Sequence, residues 1–155
     1  MAKDGKHVIH AGGIFPNPLI HREGSAAANA LPGTIGYFDA GKFTASATGA
    51  ESAILYVANM DYLRCKGVDD TIEAGELVVG IQPLQGLFLN VRAAAGTYTK
   101  GQPVAVANGQ IKAASAGTPA NGDTPAVAGD VVFAYIEEDT ALTAQAGDLV
   151  RVVFK

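Results

Sequence analysis

Tryptophan is absent from the 155 residues and only five tyrosines are present. That leaves little aromatic surface for stacking a sugar ring between paired carboxylates. A single cysteine, Cys65, excludes an intrachain disulfide. In YLRCKG it reads as a half-buried small residue, because no motif around it supplies a catalytic base. The 11 Lys and Arg residues are scattered in ones and twos, so no basic stripe can neutralise a row of phosphates and nucleic acid is not an expected partner. No apolar run approaches the roughly 18 residues of a membrane-spanning helix, and MAKDGKHVIH lacks the apolar core of a secretory signal. No membrane partner is expected, and the chain reads as made where it folds.

Site chemistry is equally sparse. There is no GxGxxG after a strand, no Walker loop and no GxSxG. His7 and His10 would suit a metal on a helix, but KHVIH reads as a strand, where that spacing puts them on opposite faces; His21 has no fixed relation to either. The acids Asp69, Asp70, Glu73 and Glu76, and Glu137, Glu138 and Asp139, fall in turn-like segments and read as solvated. No catalytic residue, cofactor or metal is expected, and the chain reads as a non-enzyme.

What is present is strand and turn. A hydrophobic content of 48% with 17% charged residues excludes a disordered chain. VAVANGQIKAA predicts a hairpin, since Asn108 and Gly109 suit a type I′ turn. Looser turns are expected at Ala40-Gly41 and at Gln85-Gly86, between LVVGIQPL and LFLNVRA. AGELVVGIQ, AGDVVFAYI and AGDLVRVVF share a glycine, an acid and then an apolar run; their intervals have no common period, which reads as shared turn chemistry without a solenoid repeat. VRVVFK alternates, with Val150, Val152 and Phe154 on one face. VVFAYI and ILYVA are apolar on both sides, as strands covered on both faces or at a subunit interface. SAAANAL, residues 25–31, has room for about two helical turns, and residues 114–130 read as an exposed loop. The expectation is an all-β sandwich or small barrel of about eight to ten short strands over residues 34–155, with little helix.

Residues 1–33 are expected to form an extended arm. In GIFPNPLIHREGSAAANALPG, Pro16 and Pro18 hold Phe15 and Asn17 extended and remove two backbone donors. Pre-extension lowers the entropy lost on docking. Ile14, Phe15, Pro16, Pro18, Leu19, Ile20 and Arg22 are therefore the candidate partner-binding residues, either on the arm's own domain or on a neighbour.

From about Ala74 onward the order TYTKGQPVAVANGQIKAA, a small-residue loop, and GDVVFAYIEEDTALTAQAGDLVRVVF resembles the head decoration (cement) proteins of tailed bacteriophages. The resemblance implies a virion structural protein on the capsid exterior, made in the host cytoplasm, that binds the major capsid protein lattice and stabilises the head. It also implies a homo-oligomer, a trimer in preference to a dimer. A tail or baseplate component and a β-sandwich carbohydrate-binding module are the alternatives.

Overall fold

The chain is all β. The computed structural model describes residues 5–13, 21–122 and 125–155, which hold thirteen strands and no helix. The strands are β1 (His10–Gly13), β2 (His21–Ala26), β3 (Ile35–Asp39), β4 (Lys42–Ala45), β5 (Tyr56–Ala58), β6 (Leu77–Ile81), β7 (Leu87–Ala93), β8 (Gly96–Tyr98), β9 (Pro103–Ala107), β10 (Gln110–Ala113), β11 (Ala134–Ile136), β12 (Leu142–Ala144) and β13 (Asp148–Val153). Strands β2, β4, β3, β5 and β6 close into a five-stranded barrel. Strands β7, β10, β9, β11 and β13 also close, because β13 pairs back along β7 from Asp148↔Ala93 to Val153↔Phe88. Outside this second ring, β1 adds antiparallel to β7, with Gly13 opposite Leu87.

The two barrels are one motif used twice. Each opens with a strand running parallel to the second arm of a hairpin, β2 with β4 and β7 with β10. Each hairpin turns on two residues with positive φ, Ala40-Gly41 (46° and 78°) and Asn108-Gly109 (51° and 76°), the type I′ geometry whose twist matches the flanking strands. The bonds between strands repeat as well. Gly75 N–H donates to Ala26 O at 2.8 Å, as Gly147 N–H does to Ala93 O. Gly33 N–H meets Ala58 O at 2.7 Å, and Gly101 N–H meets Ile136 O at 2.8 Å. The strand pair β8–β12 shrinks in the first barrel to one bridge, Ala30↔Ile72. The AGE and closing AGD segments are equivalent turns. In both, the carboxylate accepts a backbone N–H three residues back, Glu76 from Glu73 at 2.9 Å and Asp148 from Gln145 at 2.8 Å.

The interiors are filled differently to a similar end. The first barrel packs Phe38 edge-on against Phe43 and Tyr56, with ring centroids 5.4 and 5.2 Å apart. Glycines make room for them: a Cβ on Gly36 would lie 2.6 Å from the Phe43 ring, and one on Gly80 would lie 2.9 Å from the Phe38 ring. In the second barrel the equivalents of Gly24, Gly36 and Gly80 are Val91, Val104 and Val152, and those of Phe38, Phe43 and Tyr56 are Val106, Ile111 and Ala134, all buried. Large against small in one ring replaces medium against medium in the other, which close-packed interiors require. Gly36→Ala should therefore destabilise the protein by about 1–3 kcal/mol through overpacking, read as a lower denaturation midpoint in urea.

A buried arginine joins the barrels. Arg92, on β7 and 2% exposed, donates from Nε to Pro32 O at 2.8 Å, from Nη1 to Gly147 O at 2.7 Å, and from Nη2 to Val68 O. Its backbone N–H reaches Gly33 O at 2.9 Å. Asp69 supplies the nearby carboxylate at 3.4 Å and is itself 40% exposed. Arg92→Ala should cost about 3–5 kcal/mol, the range for breaking a buried charged network, whereas Asp69→Asn should cost under about 1 kcal/mol because its carboxylate is well solvated. Equal losses for the two variants in urea denaturation would contradict this division.

Several expectations are corrected. Over residues 34–155 there are eleven strands, β3 to β13, one more than the expected eight to ten or so, because short strands such as β5, β8, β11 and β12 carry no period visible in the sequence. SAAANAL forms no helix: Ser25 and Ala26 end β2, and Ala27 N–H bonds Phe43 O at 2.9 Å, a sheet contact that overrides alanine's helix propensity. The arm does not run to residue 33, because β1 belongs to the second barrel's sheet and β2 is a staple of the first barrel. The expected Gln85-Gly86 turn is present, with Gly86 at a φ of 83°, and it leads from β6 of the first barrel to β7 of the second. In VVFAYI, Val131 and Val132 are 55% and 45% exposed, and only Ala134–Ile136 is strand. Cys65 is exposed, with φ of 56°.

Candidate functional site

Of the candidate partner-binding residues, Ile14, Phe15, Pro16, Pro18, Leu19 and Ile20 lie outside the described residues. Arg22 is described. It sits on β2, exposed, with its guanidinium carbon 5.0 Å above the Phe38 ring, where it caps the aromatic filling of the first barrel by a cation–π contact. The strands on either side of the candidate segment are now placed: Gly13 lies opposite Leu87 of the second barrel, and His21 opposite Ile81 of the first.

Two apolar surfaces stand out: the first draws on the ILYVA and VVFAYI runs, and the second was not foreseen from sequence. One is a groove of about 450 Å³ between Ile54, Pro83, Val132, Phe133 and Phe154, with Lys155 Nζ 4.7 Å above the Tyr135 ring at its edge. Ile54 and Val132 in its wall are 57% and 45% exposed. The other, about 290 Å³, lies beside β2 and is formed by Met60, Tyr62, Leu63, Leu77 and Val79, with Leu63 93% exposed. The dipeptide Tyr62-Leu63 in an otherwise polar loop was the available signal. Exposed apolar patches of this kind are characteristic of surfaces that meet another protein.

The candidate acids are engaged in ion pairs and turns. Glu76 meets Lys66 at 2.7 Å and Arg64 at 3.4 Å, Glu137 meets Lys100 at 2.6 Å, and Asp139 meets Arg151 at 2.9 Å. Glu138 accepts the Arg151 N–H at 2.7 Å and lies 3.2 Å from Lys6. Asp70 accepts the Gly67 N–H at 2.6 Å. These bonds explain the shifted titrations. The Lys66 ammonium, then the Glu73 N–H, holds Glu76 below the usual carboxylate range; Arg151 does so for Asp139, and Lys112 with the Ser115 N–H for Asp130. The hydrogen bond from Lys100 to Glu137 raises the lysine, and burial raises the Tyr98 phenol. Among the described residues, no group of three His, Cys, Asp or Glu could hold a metal ion.

The signs of these shifts fix a pH profile. A carboxylate lowered in the folded state stabilises fully above its unfolded value near pH 4, and that contribution is lost as pH falls through the folded value. Lys100 and Tyr98 have the opposite sign: their contribution is complete below the unfolded values near pH 10 and lost as pH rises past the folded ones. Thermal unfolding midpoints should be level between about pH 5 and 9 and fall on both sides. A midpoint that rises on acidification below pH 4 would contradict the ion-pair assignments.

No protein-family model matches the chain, and no curated protein matches it.

Proposed function

We propose that this chain is a non-enzymatic phage virion protein that binds the outer surface of the major-capsid lattice and stabilises the head. The observation that carries this reading is the build of the chain: two equivalent closed barrels joined through Arg92, with the Pro-punctuated apolar segment strung between a strand of one and a strand of the other. A lattice-binding protein needs a stiff body and several separated contacts, because each later contact is effectively intramolecular and modest affinities multiply. The exposed apolar surface at Val127, Val131 and Val132 supports self-association, with a trimer favoured over a dimer. The protein resides on the capsid exterior and is made in the host cytoplasm.

The segment Ile14, Phe15, Pro16, Pro18, Leu19 and Ile20, with Arg22 at its rim, is the proposed docking element. Removing residues 1–33 is the wrong test, since it would also take β1 and β2 out of the two sheets. The double substitution Phe15→Ser, Leu19→Ser removes two apolar anchors and should weaken binding to capsids lacking this protein by about tenfold or more. The wild-type protein should bind such capsids and raise their resistance to heat. Failure of wild-type binding, or unchanged heat resistance with the protein bound, refutes the reading.

A further inference from the structure

We infer that the outer edge of β2 at Glu23 receives an extended strand of the capsid protein, an inference that rests on the lattice-binding reading above. The two barrels differ at one equivalent place. In the second, β7 runs on past β10, which reaches it only at Ala93↔Ile111, and the edge left over is covered by β1. There the Asn90 N–H donates to Ile9 O at 2.7 Å and Leu89 stands opposite His10. In the first barrel β2 runs on past β4, which pairs only with Ser25 and Ala26. No described strand lies beside Glu23, the equivalent of Asn90, on that side.

Strand alternation fixes where the Glu23 backbone points. The Ala26 N–H turns toward β6 and meets Glu76 O at 2.8 Å, while the Ser25 N–H turns the other way to Gly41 O at 3.1 Å. Two residues before Ser25, Glu23 directs its N–H and C=O to the same outer side. Residues 21–23 are all exposed. An open strand edge is a template for another strand: main-chain bonds supply affinity and alternate side chains supply specificity.

The chemistry of the edge selects the occupant. A row of peptide donors and acceptors is matched by extended polypeptide, which adds as a strand beside Glu23 on the side facing away from β6. Among its described residues, a second copy of this chain has no spare equivalent of β1 to lend, because β1 pairs with β7 of its own barrel. The occupant is therefore a proline-free, extended segment of a different protein.

Glu23→Pro removes the outward N–H and leaves the inward ladder of Arg22 and Gly24 to β6 intact, a position proline tolerates on an edge. Glu23→Gln keeps the N–H and removes only the charge. Against capsids lacking this protein, Glu23→Pro should bind about tenfold or more weakly than Glu23→Gln. Equal binding by the two variants overturns the strand inference alone, whereas failure of the wild-type chain to bind removes the lattice reading with it. Amide hydrogen exchange on the wild-type protein gives a readout that survives any folding defect of the proline variant. The Glu23 amide should exchange rapidly in the free protein and slowly on the capsid. Slow exchange in the free protein means that the chain covers its own edge, and overturns the inference.

Discussion

The relation between the two barrels depends on one buried guanidinium. Arg92 is taken out of water with a single, partly solvated carboxylate nearby, so its charge is met chiefly by peptide carbonyls: Pro32 and Val68 from the first barrel and Gly147 from the second. Desolvating an ion is tolerable only when its donors are satisfied, and here the donors are satisfied only while both barrels keep their relative position. The same side chain thus lends stability and fixes geometry. Its equivalent on β2 is Ser25, whose backbone N–H pairs within its own barrel, so the junction is asymmetric although the two barrels share one strand pairing.

Local turn chemistry was readable from the chain, and the duplication was not. Asn108-Gly109 and Ala40-Gly41 announced their hairpins because positive φ at both turn positions leaves few residue choices. The shared AGELV and AGDLV segments were visible too, but a third copy, AGDVV, is a decoy. Asp130 instead pairs with Lys112 at 2.8 Å and accepts the Ser115 N–H, and its glycine lacks the positive φ of Gly75 and Gly147. Equivalent loops of unequal length hid any period, residues 46–55 in one barrel against 114–133 in the other. The interiors hid it further, because glycine plus aromatic in one ring and valine throughout the other leave little common residue identity. Packing constrains total volume and leaves open which residue supplies it.

For the candidate site, the sequence named an apolar, proline-held segment, and the structure adds its setting. Strands of two different barrels bracket it, so a contact made through it bears on both bodies. Arg22, one of the candidate partner-binding residues, also covers an aromatic stack, and it neighbours the β2 edge that no described strand covers. Neither role has a local sequence signal, since each arises from pairing with residues distant along the chain. Under the proposed lattice-binding role, the double body, the apolar segment and the β2 edge, beside which no described strand lies, would be separate points of attachment.

Image reconstruction of virions that carry this protein tests the central claim most directly. The account predicts paired small barrels on the outer surface of the head, each pair in contact with more than one capsid subunit through the segment around residues 14–23. Paired barrels found in the tail or baseplate, or heads with no such density, would contradict it.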